Sequence, residues 1–188
     1  PCLDPTVLDT WKQHMGMKPV FVFKAGTDPL AHQVLKRKRD EYTSQGVKSK
    51  IQKCYHGSAV DNALDLATWG HLKDLSGRDN GMVHGRGLNV TTVSDASVET
   101  AAFSLEPCYA RPKKVNGHVV RMVVQYDGLI GYNTYRSQSH ENEPKKGYVT
   151  LGNNASTMSR NGKKTDIRVF QPSIMNTHLV PTAIAFFG

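Results

Sequence analysis

Cysteine is scarce: Cys2, Cys54 and Cys108 are the only three in 188 residues. An odd count at wide spacing supplies no disulfide framework, and no Cys-x-x-Cys or Cys/His cluster has zinc spacing. No apolar run approaches the roughly 18 residues of a membrane span. The opening Pro1-Cys2-Leu3-Asp4-Pro5 has neither the basic start nor the apolar stretch of a secretory signal. It also has no initiator Met, so the expectation is a domain of a longer protein working in a reducing compartment, nuclear or cytoplasmic. Gly-x-x-x-x-Gly-Lys-Ser/Thr, Gly-x-Ser-x-Gly and His-Glu-x-x-His are all missing, which excludes a P-loop, a hydrolase nucleophile elbow and a zincin site. Gly85-Arg86-Gly87 lacks the third glycine of a dinucleotide fingerprint and runs into a strand, against a Rossmann site. No metal is expected.

What is present describes one globular domain over residues 1–188, with 38% hydrophobic and 21% charged residues. The net charge of +8 favours anionic partners, whether nucleic acid or a pyrophosphate-bearing ligand. Lys36-Arg37-Lys38-Arg39 is either a nucleic-acid patch or a solvated helix face. Aromatic residues, 8% of the chain, interleave little with the basic ones, so stacking platforms for nucleic acid are few.

Residues 18–24 read as a strand, dense in β-branched and aromatic side chains. Asp28-Pro29 then offers a helix cap followed by proline at the first helical position, and an amphipathic helix runs to Tyr42. Strands are expected at 51–55, 90–93, 118–126, 166–170 and 182–187. Short helices are expected at 61–69 and 97–105. The near-continuous apolar run His118 to Tyr126 predicts burial on both faces. The polar stretch 133–164 reads as a long surface excursion. Helices come early and strands late, so the class is α+β.

His56-Gly57-Ser58 at a strand end presents an imidazole as hydrogen-bond donor and an unhindered backbone for a planar amide. In order along the chain come Val20-Phe21-Val22-Phe23, Thr27-Asp28-Pro29-Leu30, Tyr55-His56-Gly57-Ser58, Trp69-Gly70 and His84-Gly85-Arg86-Gly87-Leu88-Asn89-Val90-Thr91. This ordered set resembles the catalytic domain of the poly(ADP-ribose) polymerase family of ADP-ribosyltransferases. Asn116 to Val123 and Met175-Asn176-Thr177-His178-Leu179-Val180-Pro181 resemble more narrowly the plant radical-induced-cell-death branch, which implies a role in stress or transcriptional regulation. The resemblance implies an ADP-ribosyltransferase fold of two packed, mostly antiparallel sheets forming an NAD cleft, flanked by short helices.

The same resemblance implies NAD as substrate, nicotinamide as leaving group and a protein as acceptor or partner. His56 matches the histidine that hydrogen-bonds the adenosine ribose, and Gly57 the backbone partner of the nicotinamide amide. Ser58 and Gly87 complete the matching motifs. Thr100 falls where a serine reaches the amide, and Phe103 where a tyrosine stacks on the ring. Asn89 replaces a signature tyrosine. Asp166 stands for the catalytic glutamate, one methylene shorter, and displacements near 1 Å at such a group cost about 100-fold in rate. The triad reads His-Asn-Asp, which points to mono-ADP-ribosylation rather than chain elongation. The alternative is a non-catalytic descendant serving as a protein-interaction module. Nucleic-acid binding through the basic surface is a third class.

Overall fold

The computed structural model describes residues 4–15, 17–25, 28–62, 87–92, 113–131, 145–158 and 164–188. Two helices begin with the same residue pair. Asp4 and Asp28 each precede a proline, and each carboxylate accepts a main-chain N–H two residues on, from Thr6 at 2.8 Å and Leu30 at 2.9 Å. A side-chain cap followed by a residue that needs no N–H partner starts a helix at little cost. The helices are α1, Pro5–Met15, and α2, Pro29–Ser44. Expectation covered α2 but not α1.

The strands are β1 Phe21–Lys24, β2 Ser49–Ser58, β3 Leu88–Thr92, β4 Lys113–Val115, β5 His118–Gly131, β6 Leu151–Met158, β7 Lys164–Phe170 and β8 Leu179–Phe187. A single 3-10 turn, Val60–Asn62, follows β2, and a short helix α3, Met175–His178, precedes β8. Where a surface excursion was expected at 133–164, residues 151–158 form β6 against β7, and Val149 and Thr150 just before it are buried. Pairing to β7 overrides the polar composition of that stretch.

All described pairings are antiparallel, in the order β1-β8-β5-β2-β3-β7-β6, with β4 on β5. The described strands form one hydrogen-bonded path, because Cys54 and Tyr55 of β2 pair with both β5 and β3, and they do not confirm the two packed sheets expected. The path curls on itself. The Arg168 guanidinium on β7 donates to the Gly131 carbonyl at the end of β5, 3.1 Å away. The Phe170 ring lies so close to Gly128 that a Cβ there would sit 3.3 Å from its tip and 2.6 Å from Cys54 Sγ.

One face of the curl holds Cys54, Val90, Met122, Val124, Tyr126, Ile130, Phe170 and Ile184. The other is covered by the helices. Leu8 and Trp11 of α1, three residues apart and so on one helix face, bury against Tyr55, Val123 and Phe187. The Trp11 ring meets Tyr55 edge-on at 5.6 Å. Leu35 of α2 packs on Leu129, Val149 and Val180. Helix α2 is also clipped to the sheet by Asp127, which holds His32 at 3.1 Å and its cross-strand neighbour Lys53 at 2.7 Å. With core on both sides, β5 is largely buried from Met122 on, while His118 and Val119 at the start of the predicted run stand exposed.

The chain turns into β3 at Gly87, whose φ is +145°. A Cβ there would press on the Phe170 carbonyl oxygen and come within 2.8 Å of its carbon and 3.0 Å of Gln171 Cα. Those neighbours are backbone and cannot swing away, so only glycine allows β3 to lie this close to the end of β7. Gly46, also at positive φ, has nothing within 4 Å of such a Cβ. The expectation is that Gly87→Ala lowers stability by more than about 2 kcal/mol, while Gly46→Ala costs about 1 kcal/mol. Urea midpoints of the two variants measure the contrast, and equal losses would refute it.

His178 is fully buried at the end of α3. Its Nδ1 lies 2.7 Å from the Thr177 hydroxyl, and its Nε2 lies 2.8 Å from the Tyr42 hydroxyl of α2. The Thr177 hydroxyl donates its one proton to the Ile174 carbonyl, so it must accept from Nδ1–H, and Tyr42 must donate to a bare Nε2. The ring is therefore neutral. Burial, with a lesser push from Lys38, holds its pKa down at about 4, against 6.5 ordinarily. The unfolded chain takes up this proton first, so the contribution of the neutral ring is complete above about pH 6.5 and lost as pH falls to 4. The shift corresponds to about 3 kcal/mol. His178→Gln keeps an acceptor and a donor but does not titrate. Its melting temperature is expected to fall less steeply than the parent's between pH 6.5 and 4, and parallel curves would refute the assignment.

Candidate functional site

Strand β2 is paired with β5 over its whole length, Ser49 to Ser58. With β3 it pairs only through Cys54 and Tyr55. The β3 ladder thus ends at Tyr55, while β2 runs on to Ser58. Two β-edges that share a short ladder and then part open a gap between them. His56, Gly57 and Ser58 lie along it, with Gly57 and Ser58 buried and His56 half-buried.

What bridges the gap is a side chain. His56 Nδ1 is 2.7 Å from the Asn89 main-chain carbonyl. A carbonyl only accepts, so Nδ1 carries the proton. Burial lowers the ring pKa below its ordinary value, and the bond to Asn89 only partly opposes this. At neutral pH the ring is uncharged and its Nε2 is a bare acceptor. That nitrogen suits a hydroxyl donor such as a ribose 2′- or 3′-OH. It does not itself donate, so the imidazole expected as a hydrogen-bond donor donates only inward, to the protein.

His56 and Asn89 are brought together, but through the Asn89 main chain. Val90 belongs to the core inside the curl, and strand alternation turns the neighbouring Asn89 side chain to the opposite face. The His56 partner on β5, Val124, is in the same core as Val90, so the His56 and Asn89 side chains leave the sheet on different faces. Asp166 pairs through its backbone with Thr92, which pairs in turn with Cys54. The row that carries Asp166 is therefore two β2 residues away from His56. Thr100 and Phe103 lie outside the described residues.

Gly87 serves the close approach of β3 to β7 described above. One residue at this junction was missed by sequence reading. Gln171, which follows β7 and abuts Gly87, is fully buried, and among the described residues neither its amide nitrogen nor its amide oxygen has a hydrogen-bond partner. The signal that pointed near it was Gly87 itself.

In the basic tetrad, Lys38 pairs with Glu41 at 2.9 Å and Arg39 with Asp40 at 2.8 Å. Lys36 and Arg37 stand exposed. Among the described residues no group of three His, Cys, Asp or Glu side chains is arranged to hold a metal, and no helix is long and apolar enough to cross a membrane.

Comparison of the sequence with protein-family models and with curated proteins returns no match. Among solved structures, the chain is similar to the PARP domain of Arabidopsis RADICAL-INDUCED CELL DEATH1. The TM-score is 0.65 and the identity 15%, with 98% of this chain and 97% of that one covered. At such identity the likeness is one of fold. The antiparallel sheet with its short helices, and the likeness over nearly the whole chain, place this protein in the PARP-like ADP-ribosyltransferase fold.

Proposed function

We infer that the domain binds NAD in the gap between β2 and β3 and transfers a single ADP-ribose to a protein acceptor. The observation that carries this reading is the pairing of a neutral His56, its Nδ1 held by Asn89 at 2.7 Å, with the end of the β3 ladder at Tyr55 beside it. The residues fit the ligand. Nε2 of His56 accepts from a ribose hydroxyl, and the main chain at Gly57 offers an edge to a planar carboxamide, where no side chain intervenes. NAD brings a nicotinamide leaving group whose departure leaves positive charge on a ribose carbon open to an acceptor nucleophile.

Asp166 is assigned the carboxylate that stabilises that charge, and Ser58, Gly87, Thr100 and Phe103 the remaining contacts to the nicotinamide end. Electrostatic stabilisation of developing charge is commonly the largest catalytic contribution. A carboxylate shorter by one methylene therefore retains the sign of the effect and loses reach, so slow transfer of single units is the expected activity. Nuclear or cytoplasmic residence and a role in stress response belong to the same reading.

A second reading, a module that binds protein partners without catalysis, is favoured by Asn89. It stands where the resemblance expects a tyrosine, and its side chain leaves the sheet on the face opposite Val90. Nucleic-acid binding through Lys36 and Arg37 is the weakest reading, since the neighbouring Lys38 and Arg39 have carboxylates beside them.

Calorimetric titration of NAD separates these. Saturable binding in the micromolar to millimolar range is expected, weakened at least about tenfold in His56→Ala, a loss of about 1.4 kcal/mol. Asp166→Ala is expected to bind NAD but to lose label transfer. No NAD binding by the parent at millimolar concentration selects the non-catalytic module, and saturable binding counts against it. Equal binding by parent and His56→Ala refutes the site.

A further inference from the structure

The hairpin of β4 and β5 carries β5 past the end of β2. Ser58, the last residue of β2, pairs with Met122, and the hairpin takes up the β5 residues before it, His118 to Val120. Its two-residue turn, Asn116-Gly117, has φ of 49° and 83°. Positive φ at both positions gives the turn whose twist matches that of the paired strands, so the ribbon has its shape before anything binds it. Every residue from Lys113 to Val119 is exposed, and Val115 and Val119 are each exposed to 41%.

The charge of the ribbon has one sign. Between Glu106 and Asp127 the sequence holds no acidic residue, but it holds Arg111, Lys113, Lys114 and Arg121. Register sorts the ribbon into two faces. Lys113, opposite Val120, and Val115, opposite His118, share the face on which Val120 packs towards the core inside the curl. On that face Lys113 is engaged by Asp61 of the 3-10 turn. Lys114, directly opposite Val119, takes the other face, and strand alternation adds Arg121 two residues on. Lys114 and Arg121 have no ion-pair partner among the described residues.

An exposed valine between two such cations is complementary to an aliphatic side chain between two carboxylates. We propose that the Lys114, Val119 and Arg121 face of the hairpin is a docking surface for an acidic, aliphatic-containing segment of a partner protein. Opposite charges at such a surface steer the encounter and fix its register. Between Tyr109 and Tyr126 there is no aromatic ring on which a base could stack, which favours a protein over nucleic acid. The assignment does not depend on what the cleft at His56 binds.

The test is fluorescence anisotropy of a labelled peptide that repeats Glu-Ser-Leu-Ser-Glu, whose extended form puts glutamate and leucine on one face. The parent is compared with Lys114→Glu, Val119→Ser and Lys48→Glu, and melting temperatures are taken alongside. Lys48 is exposed and precedes β2 at the end paired with Gly131, away from the hairpin, and its reversal changes the net charge by the same amount. The parent is expected to bind saturably and more weakly as salt is raised. Lys114→Glu is expected to bind at least about tenfold more weakly than the parent. Val119→Ser is expected to bind more weakly as well, both variants melting with the parent, while Lys48→Glu keeps the parent affinity. No binding by the parent, equal binding by parent and Lys114→Glu, or an equal loss in Lys48→Glu overturns the assignment. Tighter binding of a single-stranded RNA oligonucleotide through the same residues overturns it in favour of nucleic acid. A parent dimer in sedimentation that Lys114→Glu dissociates overturns it in favour of a second copy. NAD titrated into Lys114→Glu is expected to bind as it does to the parent, so the hairpin and the cleft stand or fall separately.

Discussion

The central constraint in this structure is the unequal pairing of β2 on its two sides. Ten residues of ladder fasten it to β5, and two fasten it to β3. The long side fixes the position of the strand against the buried β5. The short side lets β3 and β7 turn away, so that Arg168 and Phe170 come round onto Gly131 and Gly128. The gap where the strands part, the end of the β3 ladder at Tyr55 and the reach of His56 to Asn89 follow from that one asymmetry.

Two histidines show how burial without a charged partner can serve different ends. His178 and His56 both have pKa values pushed down by desolvation, and both donate from Nδ1. His178 also has Nε2 occupied, by Tyr42, so its hydrogen-bonding capacity is spent within the fold and it ties α3 to α2. His56 spends only one nitrogen. A neutral ring with a bare acceptor facing a gap is suited to recognition, and the same ring with both nitrogens engaged is a rivet. The segment Met175 to Pro181, which supports the narrower family resemblance, therefore contributes to architecture and not to the candidate chemistry.

Local signals were legible wherever the cause was local. Asp28-Pro29 foretold α2, and the apolar density of His118 to Tyr126 foretold a strand, buried on both faces from Met122 on. The same reasoning applied to Asp4-Pro5 would have found α1, whose cap is built in the same way. Strand β6 was not legible, because Leu151–Met158 is polar and owes its extended form to pairing with β7. The site was legible in the residues His56 and Gly57 but not in its geometry. Nothing in the sequence tells that Asn89 meets His56 through its carbonyl, or that Gln171 lies against Gly87, since both depend on register between distant strands.

The two-residue seam has a thermodynamic corollary. On one side of it stand β1, β8, β5 and β2, locked by long ladders and by the packing of α1 and α2. On the other stand β3, β7 and β6. Backbone amides exchange with solvent according to the smallest unit that must open to release them. The main-chain attachment of β3 and β7 to the first group is the shorter one, so their amides are expected to exchange before those of β5 and β8. A ligand spanning the gap would touch both units and raise the cost of parting them. Occupancy would then be recorded as slowed exchange along the whole of β7, beyond the residues that the ligand contacts.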